Sequence, residues 1–282
     1  VKMLVDEGAI AIEGERWHII PEKLHIARVP QTLTGVLQAR LDTLQPHEKL
    51  ALQQAAVIGP VFWDQALAAG KAGVEDFIAV DMGGTSFDVC LVRDGQPEIK
   101  TDWNWRYRYY IGLPMVDVQS VGAGGGSIAR VRQGALLVGP ESAGSAPGPV
   151  CYGRGGTQPT VTDADAVLGY LPLDGFAGGR MTLDVDGARD AIQRDVAEPL
   201  GLDVVEAAWG IERIVNANMA NATRRVLASH GADARELALI AYGGNGAVHA
   251  WAIATELGIH RILVPKAARA FDALGVLAAG LG

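Results

Sequence analysis

One short segment of the chain, residues 78–95, carries residue types and a spacing that suit phosphate chemistry. Its polar residues follow an apolar run in the order Asp81, Gly83, Gly84, Thr85 and Asp88. The two glycines allow a tight turn whose backbone N–H groups stay unobstructed, and the threonine adds a hydroxyl. A carboxylate at the end of the first strand can reach a metal ion or a water molecule. The spacing therefore predicts a β-hairpin that grips a nucleotide phosphate; the alternative is that the glycines only close a hairpin turn.

The segments that must position this hairpin have the pattern of an α/β protein. Helices are predicted over residues 184–199, 204–230 and 247–257, and buried strands over residues 237–241 and 261–264. Gly243 and Gly244 stand between the first of these strands and the last helix, so strand, glycine turn, helix and strand follow in the order of a parallel βαβ unit. His249 falls on the apolar side of that helix, which favours a packed, hydrogen-bonded histidine over a ligand.

Composition limits the classes of function. The 282 residues can form one large or two modest domains, and 49% apolar content supplies a sizeable core. A net charge of −8 argues against a nucleic-acid partner and against an anionic membrane surface. No apolar run reaches the length of about 18 residues that a membrane-spanning helix needs. The two cysteines, Cys90 and Cys151, have no metal-binding spacing, so we expect reduced thiols and a cytoplasmic protein.

Residues 122–159 are rich in glycine, proline, serine and alanine, and we interpret them as one long ordered active-site loop. The run at its start does not fit a dinucleotide fingerprint, because a serine stands at the third glycine position. Its backbone N–H groups are predicted instead to receive a substrate carboxylate or phosphate. The predicted substrate-loop residues are Gly124, Gly125, Gly126, Ser127, Arg154 and Asp163. For Asp163 the alternative is a cap at the start of the following helix.

Residues 1–72 differ in character from the rest of the chain. We predict a short hairpin over residues 9–20 and two amphipathic helices over residues 34–44 and 46–58, together a small helical, winged-helix-like module. Residues 29–63 resemble the helical region that follows the ATPase domain in adenylate-cyclase-associated signalling ATPases. The P-loop pattern of those ATPases does not occur in this chain, and the basic residues are scattered among acids. A packing or interaction role is therefore favoured over DNA binding.

From about residue 77 to the C-terminus, a series of motifs resembles the hydantoinase A/5-oxoprolinase family, to which acetone and acetophenone carboxylase subunits are related. The motifs follow in order at Val121–Ser127, Ser142–Pro149, Cys151–Gly156 and Thr160–Ala164. The chain departs from the family pattern at Phe87, where a small hydroxylated residue is common, and at Gln119, where histidine often stands. We therefore predict two domains, residues 1–72 and 77–282, as a fusion of unrelated pieces.

The resemblance implies both a fold and a nucleotide site. The fold would be α/β, one ATPase lobe of the actin, Hsp70 and sugar-kinase type, which is ribonuclease H-like. The site would consist of Gly83, Gly84 and Thr85 on the phosphates of ATP, Asp81 and Asp88 as catalytic carboxylates, Asp81 as the Mg²⁺ ligand, and Gly243 and Gly244 on adenosine. The alternative for the last pair is a tight strand-to-helix turn without a ligand.

The implied activity is ATP-dependent hydrolysis of a cyclic amide of the 5-oxoproline or hydantoin type, in which ATP phosphorylates the amide oxygen so that water can open the ring. An ATP-dependent ketone carboxylase subunit is the related alternative. Family members have an N-terminal lobe with its own Asp-x-Gly-Gly-Thr hairpin, and residues 1–72 stand in its place here. The site is therefore expected to need a first lobe or a partner, such as a hydantoinase B-like subunit or domain. A third interpretation is a catalytically silent fusion of a signalling module and a half-ATPase.

The predicted division into two domains leads to a direct test. We expect limited proteolysis to cut first between about residues 70 and 77, because nothing in the pattern of residues 1–70 complements the glycine-rich face of the second domain. Mass spectrometry of the fragments locates the cut. Continuous protection of this segment, with cooperative unfolding of the whole chain, would contradict a fusion.

Overall fold

The computed structural model describes residues 10–13, 16–19, 73–101, 103–104, 110–111, 114–172, 176–265 and 268. The chain divides into two compact units, Val1–Gln54 with Gly280–Gly282 and Ala55–Ala279. In the first unit, β1 (Ile10–Glu13) and β2 (Arg16–Ile19) form an antiparallel hairpin. This confirms the hairpin predicted for residues 9–20, whereas the helices predicted for residues 34–44 and 46–58 lie outside the described residues.

The second unit contains most of the described structure. Its strands are β3 (Phe77–Met82), β4 (Phe87–Arg93), β5 (Gln96–Pro97), β6 (Ile99–Lys100), β7 (Trp103–Asn104), β8 (Tyr110–Ile111), β9 (Met115–Val116), β10 (Val118–Val121), β11 (Ser127–Arg132), β12 (Ala135–Ser142), β13 (Ala238–Tyr242) and β14 (Arg261–Leu263). Its α-helices are α1 (Val161–Val167), α2 (Phe176–Gly179), α3 (Val185–Ile192), α4 (Glu198–Leu200), α5 (Val204–Ser229) and α6 (Gly246–Leu257). Short 3₁₀ turns lie at Val150–Tyr152 and Ala234–Glu236.

A mixed sheet forms the centre of this unit, with the strand order β10, β4, β3, β13, β14 and with β5 added beside β4. β3 and β4 are antiparallel and pair from Phe77 with Val92 to Met82 with Phe87, which confirms the predicted hairpin. β13 runs parallel to both β3 and β14, and α6 connects it to β14. The predicted parallel βαβ unit is therefore confirmed.

The two faces of the sheet pack against different partners, because successive side chains of a strand point to opposite sides. Ile78, Val80 and Met82 belong to the large core that the sheet shares with α1, α5 and α6. Phe77 and Ala79 point to the other face, into a smaller cluster with residues of β4 and β13. Asp81 continues this second face, so the end of β3 presents a carboxylate on the side away from α5.

Helix α5 spans 26 residues and supports the large core. The Asp203 side chain accepts hydrogen bonds from the backbone N–H groups of Val205 at 2.8 Å and Glu206 at 3.0 Å, while Glu206 accepts from the Asp203 N–H. This capping box fixes where the helix begins. The helix confirms the prediction for residues 204–230. Within the described ranges, no helix is both long and apolar enough to cross a membrane.

The helix predicted for residues 184–199 is present with an interruption. Asp184 caps α3 by accepting from the Gly187 N–H at 2.9 Å. A π-helical turn over Gln193–Ala197 then leads into α4. Such π-helical segments occur mostly as single turns inside α-helices.

The interpretation of residues 122–159 as one long loop is wrong for its middle part. β11 and β12 form an antiparallel hairpin there, with cross-strand partners from Ser127 and Ser142 to Arg132 and Ala135. Gln133 and Gly134 between the strands have φ values of 53° and 76°. Positive φ at both central positions is typical of a two-residue type I′ turn. The high glycine and proline content of the segment hid this hairpin from the sequence pattern.

Gly125 lies where three parts of the unit meet. Its N–H donates to the Gly83 carbonyl at 3.1 Å, and its own carbonyl accepts from the Thr162 N–H at 2.7 Å and the Thr162 hydroxyl at 2.9 Å. A Cβ atom at this position would lie 1.9 Å from the side-chain nitrogen of Asn245 and 2.6 Å from the Thr162 hydroxyl. The β3–β4 turn, α1 and the start of α6 are therefore held together at a point where only glycine fits.

Gly125→Ala should destabilise this unit strongly, because the new methyl group would displace buried backbone-bonded neighbours. Overpacking of this kind costs about 1–3 kcal/mol or more. Gly84→Ala is the matched control, since a Cβ there meets no atom within 4 Å. Urea denaturation should separate the two variants by at least about 1 kcal/mol. Equal midpoints would mean that the junction at Gly125 can relax freely.

Candidate active site

A row of polar side chains crosses the sheet where β3 ends. Ser120 of β10 pairs with Asp88 of β4, Asp88 pairs with Asp81 of β3, and Asp81 pairs with Tyr242 of β13. Directly paired residues of neighbouring strands point to the same face. The sheet register thus brings the two predicted catalytic carboxylates side by side, between Ser120 and Tyr242.

The environments of the two carboxylates differ. One Asp88 oxygen accepts a hydrogen bond from the Ser120 hydroxyl, and the other accepts from the Ser86 hydroxyl at 3.3 Å. Asp81 is half-buried, and its Oδ1 faces the backbone of Gly243 so closely that a Cβ atom there would lie 2.2 Å away. Paired positions of this kind place Cβ atoms about 4.5–5.5 Å apart, and like charges there repel each other. A cation between the carboxylates would remove that repulsion.

The donor set fits a hard divalent cation that shares its ligands with a phosphate. Within the described residues, no three histidine, cysteine, aspartate or glutamate side chains converge on one point. Mg²⁺ is commonly held by one or two carboxylates, with phosphate oxygens and water completing an octahedron. Asp81 and Asp88 meet that requirement, whereas a zinc site would need more nitrogen or sulfur ligands.

The turn between β3 and β4 leaves its tip open. The Gly83 N–H donates to the Ser86 carbonyl at 3.1 Å, which closes the turn. Gly84 and Thr85 are exposed, and among the described residues their N–H groups donate to no backbone carbonyl. Two free backbone donors and a threonine hydroxyl beside paired carboxylates are the elements that a phosphate group needs.

The second glycine pair lies beside the first, because β13 is the parallel neighbour of β3. Gly243 has φ of 83° and packs against Asp81 and the Met82 carbonyl, so the tight turn requires glycine. Gly244 is exposed, and a Cβ atom there would meet nothing within 4 Å. The Asn245 N–H donates to the Met82 carbonyl at 3.0 Å, which ties this turn to the end of β3.

The N–H groups at the start of the predicted substrate loop bond within the protein, whereas the sequence predicts that they receive a substrate carboxylate or phosphate. Gly124, Gly125, Gly126 and Ser127 are all buried. Gly124 donates to the Ser127 hydroxyl at 2.9 Å, Gly125 to Gly83, Gly126 to the Gly84 carbonyl at 2.7 Å, and Ser127 to the Gly124 carbonyl at 3.0 Å. These donors are already used within the protein, so they cannot cradle a substrate anion. The loop supports the phosphate turn from behind.

Among the described residues, Asp163 and Arg154 form no hydrogen bond or ion pair with Asp81 or Asp88. Asp163 is buried at the third position of α1 and forms a capping box with Thr160, and it also accepts from the N–H groups of Val150 at 3.2 Å and Cys151 at 2.7 Å. The helix-cap alternative therefore describes its geometry. Burial and this carboxylate raise the pKa of the free Cys151 thiol. Arg154 is exposed in the loop that precedes α1.

Sequence reasoning missed Ser120, Tyr242 and Asn245. Ser120 and Tyr242 join the site only through strand register, and each is separated from Asp81 by many residues along the chain. Asn245 follows the second glycine pair directly and contacts Gly125. An amide side chain beside a glycine turn was the one available signal, because a buried amide at a helix start normally has a specific polar partner.

Comparison with known proteins is consistent with this geometry. The family model for hydantoinase/oxoprolinase matches residues 61–281. The chain belongs to the hydantoinase/oxoprolinase family. The match begins earlier than residue 77, where the resemblance became visible from motifs alone.

Two relatives illustrate the range of the family. The caprolactamase subunit alpha of Pseudomonas jessenii is 46% identical over 220 residues, which are 77% of this chain and 32% of that protein. The acetophenone carboxylase gamma subunit of Aromatoleum aromaticum is 44% identical over 221 residues, 77% of this chain and 30% of that protein. The chain thus spans about a third of the length of these relatives.

Solved structures agree in fold. The crystal structure of the ATP-dependent caprolactamase from Pseudomonas jessenii superposes with a TM-score of 0.69 at 44% identity, over 80% of this chain and 31% of that one. The nucleotide-free structure of acetone carboxylase gives 0.70 at 36% identity, again over 80% of this chain and 31% of that one. The second unit therefore has the mixed α/β architecture of these ATP-dependent enzymes.

Gly84→Ala and Gly244→Ala should preserve the fold, because a methyl group at either position meets no protein atom within 4 Å. Both variants should weaken nucleotide binding, because the methyl group would fill space that the bound nucleotide needs. Loss of close backbone approach and of one hydrogen bond to a charged group corresponds to about 1.5–3 kcal/mol, or at least about tenfold in Kd. Isothermal titration with MgATP, in a complex that supplies the first lobe, measures the change. Wild-type affinity in both variants would remove the two glycine turns from the nucleotide site.

Proposed function

We propose that this chain supplies one half of an ATP site for the hydrolysis of a cyclic amide. The observation that carries the proposal is the row of Asp81 and Asp88 directly beside the exposed tip at Gly84 and Thr85. Carboxylates that can hold a cation and backbone donors that can hold a phosphate lie at one end of one hairpin. The similarity to an ATP-dependent caprolactamase, which is named for a cyclic amide, supports the choice of substrate class.

The fold supports the same proposal at a finer level. We infer that the second unit is one lobe of the actin, Hsp70 and sugar-kinase type, with a ribonuclease H-like sheet. Three antiparallel strands followed by two parallel ones, in the order β10, β4, β3, β13, β14, are consistent with that architecture. In this arrangement both glycine turns lie at the same end of neighbouring strands, where a nucleotide can touch both.

The chemistry begins with the amide oxygen of the substrate attacking the γ-phosphorus of ATP. The bond from phosphorus to the β–γ bridging oxygen breaks and ADP leaves, so the amide oxygen stays on the ring carbon and now carries the phosphoryl group. Water adds to that carbon, and the carbon–nitrogen bond breaks as the nitrogen takes up a proton. A second water releases inorganic phosphate and leaves a carboxylate. An amide that resists direct attack is thereby converted into a better electrophile.

The residues of the chain have distinct roles in this proposal. Gly83, Gly84 and Thr85 hold the phosphates, and Gly243 and Gly244 contact the adenosine. Asp81, with Asp88 beside it, would hold Mg²⁺, which when bound neutralises charge on the phosphate oxygens. Asp88 is kept in place by the Ser86 and Ser120 hydroxyls. Arg154 and Asp163 remain proposed members of the substrate loop. Asp163 would act indirectly, by fixing the start of α1.

Because the chain spans about a third of its relatives, the whole activity is proposed for an assembly. A first lobe would close the nucleotide site from the opposite side, and a hydantoinase B-like subunit or domain would bind the activated amide. The division into residues 1–72 and 77–282 also stays a proposal. A chain that never meets these partners would be the catalytically silent alternative.

A ketone carboxylase subunit is the second candidate. Its specific support is the 44% identity to the acetophenone carboxylase gamma subunit and the TM-score of 0.70 with acetone carboxylase. The phosphoryl transfer would be the same, with a ketone enolate or bicarbonate as the oxygen nucleophile. Assaying one complex with 5-oxoproline, hydantoin and caprolactam, and separately with acetone or acetophenone and bicarbonate, decides between the two.

Asp81→Asn should abolish ATP turnover in a complex with a first lobe, while MgATP affinity changes much less. A group that acts mainly in the transition state is worth about 2.7–4 kcal/mol, or about a hundred- to thousandfold in kcat. Asp94→Asn is the matched control, since Asp94 is an exposed residue in the turn that follows β4. Turnover is followed by phosphate release and by ring opening.

Two outcomes would contradict this assignment. Wild-type turnover in the Asp81→Asn complex would remove the carboxylate from the mechanism. Robust ATP-dependent lactam hydrolysis by the 282-residue chain alone would show that half a site is sufficient.

A further inference from the structure

A buried polar network connects three helices behind the candidate site. It consists of Asp165 on α1, Glu212 and Asn216 on α5, and His249 on α6. Asp165 and His249 are fully inaccessible, and the other two are at most 9% exposed. The proposed function uses none of the four residues. Charged and polar groups this deep are costly unless they have partners, so their arrangement calls for a specific explanation.

The direction of the hydrogen bonds fixes one proton on the imidazole. The Asn216 amide nitrogen donates to the Glu212 carboxylate, so the Asn216 amide oxygen is the atom that faces His249. That oxygen lies 2.8 Å from His249 Nδ1 and can only accept. Nδ1 therefore carries a hydrogen. The histidine is packed and hydrogen-bonded, as its position on the apolar side of the helix predicted.

On the opposite side of the imidazole ring, Nε2 faces the Asp165 carboxylate, to which no described residue donates a hydrogen bond. His249 Nε2 lies 3.5 Å from Asp165 Oδ2, and neither Asp165 oxygen accepts a hydrogen bond from a described residue. An unprotonated Nε2 facing an ionised carboxylate would place two buried acceptors against each other without a hydrogen between them. Such a contact is strongly unfavourable in a fully buried site. A proton shared between Nε2 and the carboxylate would remove this conflict.

This pair lies one helical turn behind the junction at Gly125. Asp165 follows Thr162 by three residues on α1, and His249 follows Asn245 by four residues on the α6 side. Residues at these spacings occupy the same face of a helix. Thr162 and Asn245 both lie against Gly125. A hydrogen bond between Asp165 and His249 would hold α1 and α6 together one turn behind this junction.

We propose that Asp165 and His249 form a positioning pair that shares one buried proton and sets where the Gly243–Gly244 turn stands relative to the Gly83–Gly84 turn. The pair touches neither substrate nor nucleotide; it acts through Thr162 and Asn245. Any effect of the pair on nucleotide binding rests on the proposed function. The effect of the pair on the positions of the two turns is independent of that function.

Three variants of the full chain test the pair by amide hydrogen exchange. Asp165→Leu removes the proton-sharing partner, whereas Asp165→Asn can donate its own N–H to Nε2 and keep the bond. Thr223→Val is the matched control, because Thr223 is a buried polar residue of α5 whose hydroxyl donates to the Met219 carbonyl at 3.0 Å and, among the described residues, to no member of the network. The reporters are the N–H groups of Gly125 and Asn245, which donate to the Gly83 and Met82 carbonyls at the β3–β4 turn.

We expect Asp165→Leu to speed exchange at both reporters by about tenfold, the effect of one lost buried bond on local opening, while amides in the centre of β3 and β13 keep their rates. Asp165→Asn should stay within about twofold of wild type, and Thr223→Val should not accelerate the reporters selectively. Unchanged reporters in Asp165→Leu, or equal acceleration of all amides, would overturn the positioning role. An asparagine variant that behaves like the leucine variant would overturn proton sharing.

The wild-type protein offers a measurement that does not depend on a variant folding. A ¹H–¹⁵N spectrum of the histidine side chains should show a slowly exchanging proton on His249 Nδ1 and a second one between Nε2 and the Asp165 carboxyl group. A bare Nε2 beside an ionised carboxylate would refute the pair. If no nucleotide binds to the complete wild-type complex, the proposed function fails, whereas the exchange and spectral results still decide the positioning role.

Discussion

The backbone of Gly125 is the constraint on which the candidate site depends. Its N–H holds the β3–β4 turn, its carbonyl holds α1, and its missing side chain admits Asn245 at the start of α6. Each partner comes from a different part of the sequence. Because the interior is close-packed, a single methyl group at this point would have to move several backbone segments at once. The glycine-rich motif is therefore a structural joint that supports the site.

Parallel strand pairing, with this joint behind it, brings two glycine turns that are distant in sequence to the same end of the sheet. β13 pairs with β3 in parallel, so Gly243 follows its strand at the same end at which Gly83 follows β3. The same register places Asp81 between Asp88 and Tyr242. Rigid strands determine the position of the carboxylates, and the joint determines the position of the turns. Functional groups must be held to within about 0.5 Å of their productive geometry, and sites built on strands meet this requirement more precisely than sites built on loops.

Local patterns were sufficient to predict most of the elements outside the glycine-rich segment, and long-range contacts were not predictable from them. The β3–β4 hairpin, α5 and the βαβ unit follow from periodicity and turn residues within short windows. The hairpin of β11 and β12 was missed because glycine and proline dominate its surroundings. The sequence does not distinguish a glycine that exposes its N–H to a ligand from one, such as Gly125, that lets backbones approach. The positions of Ser120 and Tyr242 beside the carboxylates follow from the register of four paired strands, which local patterns do not give.

The most direct test of the central claim is a structure of the chain, assembled with a first lobe, bound to Mg²⁺ and a non-hydrolysable ATP analogue. We expect the γ-phosphate at the N–H groups of Gly84 and Thr85, the adenosine against Gly244, and the metal ion at Asp81, either directly at about 2.0–2.1 Å or through one water. A nucleotide bound elsewhere on the chain, or phosphates at this turn with the metal ion remote from both Asp81 and Asp88, would contradict the claim.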